Sequence, residues 1–247
     1  MEEVFHIAKE LGYDGVEVWH FQLIKTREDA ASLCKLAREL SLKLSLHALS
    51  WDLNFTSKLS RVREASLEML EKSILVAEAL HADIVVVHPG RITIPGDDPE
   101  EYWGLLKEGV ARLASYARPR GIEIGLEIME HIPKEFFITP EDGNRILEEV
   151  NAPNLGITFD AAHVPLGIDP LAYLKRAKGV IHIHLSDIIG QKRHVALGKG
   201  VREFSDLIRY IVENLKVDIV IEGMEYQRDK WLIEHNKEKI CELLKRR

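Results

Sequence analysis

Five short segments of this sequence alternate aliphatic with polar residues, a sixth is an aliphatic run, and each carries a histidine, aspartate or glutamate at or beside its end. Leu42, Leu44 and Leu46 oppose Lys43, Ser45 and His47, while Ile122, Ile124 and Leu126 oppose Glu123, Gly125 and Glu127. Ile181, Ile183 and Leu185 oppose His182 and His184; Ile219 and Ile221 oppose Asp218, Val220 and Glu222. Residues 83–88 end on His88, and residues 155–160 end on Asp160, with Gly156, Thr158 and Asp160 on one face against Ile157 and Phe159. A period of two marks a β-strand with two unlike faces. With residues 14–19, whose register is similar but which end on Trp19, the strands number seven.

Helical patterns fill every gap between them. Residues 2–11 read as an amphipathic helix closed by Gly12, and Thr26-Arg27-Glu28-Asp29 reads as a capping box opening a helix to about Leu40. A long helix spans about 57–80. Asp98-Pro99-Glu100, Thr139-Pro140-Glu141 and Asp169-Pro170 each set a capping residue before a proline that can start a helix. Helices over about 202–215 and from Gln227 to the C-terminus complete the pattern.

Strands alternating with helices predict a parallel sheet covered by helices. Strand starts recur about every 25–40 residues, and no glycine-rich dinucleotide fingerprint follows the first strand. The expected fold is therefore a TIM-type (βα) barrel rather than an open doubly wound sheet. Seven βα units are recognisable, so the usual first strand is expected to be absent or lost with the start of the chain. In such a barrel the aliphatic faces meet the helices and the polar faces point at the axis. His47, His88, Glu127, Asp160, His184 and Glu222 then stand together on the C-terminal rim, where barrel active sites lie.

The 247 residues are 46% hydrophobic, enough for one large core, and contain no Pro/Gly/Ser-rich linker, so 1–247 is read as one domain. A net charge of −7 offers no basic face for nucleic acid, which is disfavoured as a partner. No apolar run is long enough for a membrane span, and the N-terminus does not read as a signal peptide, so a cytoplasmic location is expected. Cys34 and Cys241 lie in helical patterns and read as reduced thiols.

Imidazoles and carboxylates converging on one point suit Zn²⁺ or Mn²⁺. Any one of these residues could be an ordinary interior polar group; six at equivalent strand ends argue for a site. His6, His20, His81, His131 and His235 read as surface or packing residues, and His182 as support for His184. Glu17, Lys43 and Glu123 are expected to meet inside the barrel as an ion-paired layer. Trp19, Trp51, Phe55 and Trp103 are candidates for the pocket wall, and Arg193 sits in a loop where it could meet a substrate hydroxyl or phosphate.

The chain resembles the xylose isomerase-like barrels, the superfamily of endonuclease IV and the metal-dependent sugar isomerases and epimerases. The resemblance is carried by Asp14-Gly15-Val16-Glu17, His47-Ala48, His88-Pro89-Gly90, Leu126-Glu127 and Asp160-Ala161-Ala162-His163. It continues through His182-Ile183-His184-Leu185-Ser186-Asp187, Leu197-Gly198-Lys199-Gly200 and Ile221-Glu222. The epimerase pattern implies one divalent ion, Mn²⁺ or Zn²⁺, on Glu127, Asp160, His184 and Glu222, with His163 binding substrate. The endonuclease pattern implies three zinc ions, adding His47 and His88 beside Glu127 and pairing His163 with His194. An aspartate expected two residues before His194 is Lys192 here, which speaks against that third ion.

The resemblance therefore implies a sugar or sugar-phosphate isomerase or epimerase working by proton transfer through a metal-stabilised enediolate. Glu127 and Glu222 would be the proton-transfer pair and His163 would steady the intermediate. The alternative is an endonuclease IV-like zinc phosphodiesterase acting on abasic DNA, and a third class is a barrel that binds without catalysis. A homo-oligomer is compatible with the sequence.

Overall fold

The computed structural model describes residues 1–223 and 229–245. The chain begins α1 (Glu2–Glu10), β1 (Gly15–Trp19), α2 (His20–Thr26), α3 (Ala30–Glu39), β2 (Lys43–His47), α4 (Ser60–Leu80) and β3 (Ile84–Val87). It continues α5 (Glu100–Ala117), β4 (Glu123–Glu127), α6 (Pro140–Val150), β5 (Leu155–Asp160), α7 (Pro170–Leu174) and β6 (Val180–Leu185). The last part is β7 (Asp187–Ile189), β8 (Lys192–Val195), α8 (Ser205–Tyr210), β9 (Ile219–Ile221) and α9 (Asp229–Lys245).

Among the described residues seven strands form one parallel sheet in the order β1-β2-β3-β4-β5-β6-β9, nearly closed into a barrel, with β1 and β9 as its two edges. The expected seven-unit barrel is the observed fold. Register brings the strand ends level: Trp19 pairs with His47, Glu127 with Thr158, and Asp160 with His184.

Alternation explains the layering. Leu46, Val85, Val87, Ile124, Leu126, Ile157, Phe159, Ile183 and Leu185 are all buried on the outer face of the sheet. Each contributes about 1.5–3 kcal/mol by leaving water. The helices meet them with their own stripes; in α4, Leu67, Leu70, Ile74, Ala77 and Leu80 are buried at three- and four-residue spacing. On the barrel side Gly125 is required, because a Cβ there would stand 2.3 Å from Thr158 Oγ1.

Local chemistry sets the helix starts. Thr139 and Asp142 form a complete capping box, and Asp169 accepts from the amides of Leu171 and Ala172. Asp98 accepts from the amide of Glu100, but α5 begins at Glu100 with Pro99 at its N-cap, one residue later than the pattern implies. The capping box at Thr26 does not form. Thr26 instead ends α2, a helix the sequence pattern did not show, and its hydroxyl donates to Gln22 O and Glu28. Arg27 turns the chain through the left-handed region (φ 59°), which leaves Asp29 to cap α3 through the Ser32 amide.

Two further expectations are corrected. Residues 187–195 are not a loop but the antiparallel hairpin β7–β8, so Arg193 sits on a strand. The ion-paired interior layer is also not observed. Lys43 lies at the open N-terminal end, 70% exposed and 3.5 Å from Asp218, Glu123 is exposed, and Glu17 pairs with histidines instead. The first residue of a barrel strand meets solvent at the floor, so its inward parity does not bury it. The helix expected from Gln227 is observed as α9; residues 227 and 228 lie outside those described. Among the described residues no helix is long and apolar enough to cross a membrane.

Candidate metal centre

The strand ends deliver their polar residues to one rim. Glu127 stands at the centre, its Oε2 lying 3.0 Å from His88 Nε2 and 3.8 Å from His47 Nε2. Its other oxygen lies 3.4 Å from His184 Nδ1 and 3.6 Å from His163 Nδ1. Glu222 Oε2 lies 3.3 Å from His184 Nδ1 and 3.5 Å from His194 Nδ1. Asp160 Oδ2 lies 3.5 Å from His163 Nε2 and 3.8 Å from His194 Nδ1. All eight residues singled out as ion ligands thus come together.

Three sets of these side chains could each grip an ion, with donor atoms within 4.8 Å of one another: Glu127, Asp160 and His184; His47, His88 and Glu127; and Asp160, His163 and His194. The third set bears on Lys192. That residue is exposed on β8, while Asp160 supplies a carboxylate to the His163–His194 pair.

The donor set fits a divalent ion. Glu127 Oε2, Asp160 Oδ2 and His184 Nδ1 are buried and engage in no aligned hydrogen bond among the described residues. Buried polar atoms are nearly always satisfied, so three such atoms converging from three strands call for a ligand. Carboxylate oxygens with an imidazole nitrogen suit Mn²⁺ or Zn²⁺. Other hydrogen bonds aim the side chains: His163 Nδ1 lies 2.9 Å from the Ile128 carbonyl, His47 Nδ1 lies 2.9 Å from the Ala48 carbonyl, and Asp160 Oδ1 accepts from the Ala162 amide.

Electrostatics tie the cluster together. Burial works against charge on Glu127, but His88, His184 and His47 outweigh it and hold the carboxyl well below its usual range. Glu222 is lowered to about 2, burial being overcome by His184 and His194. Asp160 is pushed up by burial and by Glu222 and Glu127, against the pull of His163 and His194. Burial opposes charge on His163 as well, yet Asp160, Glu127 and Glu130 raise it to about 9. Burial likewise opposes a charge on His184, which Glu17, Glu127 and Glu222 override, raising it well above normal. Protons on these rings balance the carboxylates, and an ion binding here displaces protons.

A cleft of about 1090 Å³ opens onto this rim and continues between β1 and β9. Trp19 and Trp51 line it, 4.6 Å apart between ring centres, together with Gln22, Arg91 and Glu130. Phe55 and Trp103 do not: both are buried under the helices, Phe55 against Gly109. His20, His131 and His235 satisfy Ser73, Ile138 and Leu197 respectively, and His6 and His81 are exposed, as expected of packing and surface residues.

Two residues of the site escaped the sequence. Parity puts Glu17 in an interior ion-paired layer with Lys43 and Glu123, although its register beside Ser45 sets it one step below the rim. Glu130, 3.5 Å from His163, lies beyond its strand, where alternation carries no information.

The profile of the xylose isomerase-like TIM barrel matches residues 5–245. An uncharacterised protein of Methanocaldococcus jannaschii is 30% identical over 193 residues, a match covering 73% of this chain and 64% of that relative's length. The fructoselysine 3-epimerase of Shigella flexneri is 25% identical over 227 residues, covering 86% of this chain and 81% of the relative. A solved D-tagatose 3-epimerase-like protein superposes with a TM-score of 0.82 at 27% identity, covering 94% of this chain and 89% of the other. This chain belongs to the xylose isomerase-like TIM barrel family.

Proposed function

We propose that this protein is a divalent-metal-dependent isomerase or epimerase of a sugar or sugar phosphate. The observation that carries the reading is the convergence of Glu127 and Glu222 on one ring, 3.4 and 3.3 Å from His184 Nδ1, beside a cleft large enough for a sugar. Both carboxyls are held low, so both are ionised at neutral pH, the form a base requires. The epimerase names of the Shigella relative and of the solved neighbour support the same class.

Glu127, Asp160, His184 and Glu222 would hold the ion, with Mn²⁺ or Zn²⁺ as candidates; when bound it supplies Lewis acidity toward a substrate carbonyl. Glu127 and Glu222 then act on the carbon beside that carbonyl, one removing the proton and the other returning it. His163, cationic at neutral pH and hydrogen-bonded to a main-chain carbonyl, steadies the developing enediolate. Trp19 and Trp51 offer apolar faces to the sugar, and Arg91 offers a cation to hydroxyl or phosphate oxygens.

Incubation with Mn²⁺ and a ketose in D₂O should place deuterium on the carbon next to the carbonyl, and Glu222→Gln should stop that exchange while retaining partial ion binding. A second reading, a three-ion phosphodiesterase, draws on Asp160 reaching both His163 and His194. Nicking of abasic DNA that is lost in Glu222→Gln, without exchange on any ketose tested, would overturn the epimerase reading. Three tightly held zinc ions per chain would favour the same alternative.

A further inference from the structure

We propose that Glu17 is the positioning residue for His184, fixing which ring nitrogen faces the ion. This rests on the reading of His184 as an ion ligand. Glu17 stands on β1 beside Ser45 of β2, its side chain only 10% exposed. Its Oε2 accepts from the Ser45 hydroxyl at 2.9 Å and lies 2.8 Å from His182 Nε2. Its Oε1 lies 2.9 Å from His184 Nε2, an ion-pair contact not yet aligned as a hydrogen bond. On the opposite edge of that ring, Nδ1 looks toward Glu127 and Glu222. Residues from β1, β2 and β6 therefore seat one carboxylate, two donors pinning its first oxygen and leaving the second for His184.

A neutral imidazole has one N–H and one lone pair, and it cannot present both edges to an ion. A carboxylate at Nε2 keeps the proton on that edge and puts the lone pair on Nδ1, where the other ligands are. Such partners of ligating histidines set ring orientation and basicity, and losing one typically costs about 10–100-fold in metal affinity. His182 has its role here too: buried against Glu17, it holds the carboxylate rather than the ion.

The test uses the full chain labelled with ¹⁵N-histidine, stripped with EDTA and titrated with Zn²⁺. Long-range proton–nitrogen spectra of the zinc-loaded wild type should show His184 ligating through Nδ1 with Nε2 protonated. Calorimetry should show Zn²⁺ binding about 10–100-fold weaker in Glu17→Leu. Glu17→Gln should recover part of that loss, because its amide oxygen still accepts from Nε2–H, a graded rescue that loss of packing alone does not give. Ligation through Nε2 in the wild type, or equal Zn²⁺ affinity in all three proteins, overturns the inference while leaving the proposed function standing. No Zn²⁺ binding by the wild type removes both. The wild-type spectrum decides the point even where a variant fails to fold.

Discussion

Raising the pH from 6.5 to 9 should destabilise the metal-free protein through His163. The ring is 5% exposed, and burial alone would favour its neutral form. Asp160, Glu127 and Glu130 reverse that preference and lift it to about 9. A raised value means that the folded chain holds the proton more tightly than the unfolded chain. The stabilisation is thus fully present below about 6.5 and is lost as the pH rises through 9. A shift from about 6.5 to about 9, at about 1.4 kcal/mol per unit, gives roughly 3 kcal/mol. For a chain of this length that corresponds to a fall in melting temperature of about 6–12 °C. His47 and His184 are also raised and add in the same direction, whereas His88 is lowered and titrates below the window. The carboxyls of Glu17, Glu127 and Glu222 are depressed and titrate lower still. Circular-dichroism melts in EDTA across this range would measure the slope for the wild type and for His163→Gln. A wild-type melting temperature independent of pH, or an equal slope in the variant, would refute the reasoning.

Gly125→Ala should cost about 1–3 kcal/mol by overpacking, since its Cβ would meet Thr158 Oγ1 at 2.3 Å. Adding Thr158→Ala should restore most of that loss in urea unfolding. Thr139→Ala removes one half of the capping box of α6 and should cost about 1 kcal/mol in the same assay. Asp187 accepts from the amides of Ile188, Gly198, Gly200 and Arg202, so Asp187→Ala should release the 187–202 segment, seen as lost hydrogen-exchange protection at those amides. The destabilisation should be on the order of 3 kcal/mol, because hydrogen bonds to a charged group are the stronger kind.

Much of this architecture is legible in the sequence because alternation is a local property. Leu44 and Leu46 against Ser45 and His47 state which face of β2 is inside without reference to any other strand. The same parity named His47, His88, Glu127, Asp160, His184 and Glu222 as rim residues. Parity gives a face but not a height or an aim. It assigns Glu17, Lys43 and Glu123 to one layer, although Glu17 stands one step below the rim while Lys43 and Glu123 are at the floor. The height of a residue depends on strand register, which is set between segments far apart in the chain. Nor does a local pattern reveal the hairpin of residues 187–195, whose strands are short and held by contacts such as those of Asp187. The surroundings of the histidines are only half readable: His182 and His184 share one face, and Glu17, from a distant strand, lies 2.8 and 2.9 Å from their Nε2 atoms.

The barrel's seam and its site are energetically one object. β1 and β9 share no ladder among the described residues, yet each sends a carboxylate to the same ring. Glu17 comes from β1 to 2.9 Å from His184 Nε2, and Glu222, directly after β9, comes to 3.3 Å from Nδ1. At the floor of the seam Lys43 meets Asp218, but at 70% and 62% exposure that pair is worth about 0–1 kcal/mol at most. Closure at the rim therefore falls to His184 and to whatever joins Glu127, Asp160 and Glu222 around it. An ion that binds only the folded chain adds about 4 kcal/mol when supplied at a thousand times its Kd. That energy should be felt most where no ladder competes with it. Removing Zn²⁺ with EDTA should accordingly speed amide hydrogen exchange in β1 and β9 much more than in β3, β4 and β5, which are paired on both sides. Uniform acceleration across all seven strands, or none in β1 and β9, would show that the seam is held by the surrounding helices and not by the site.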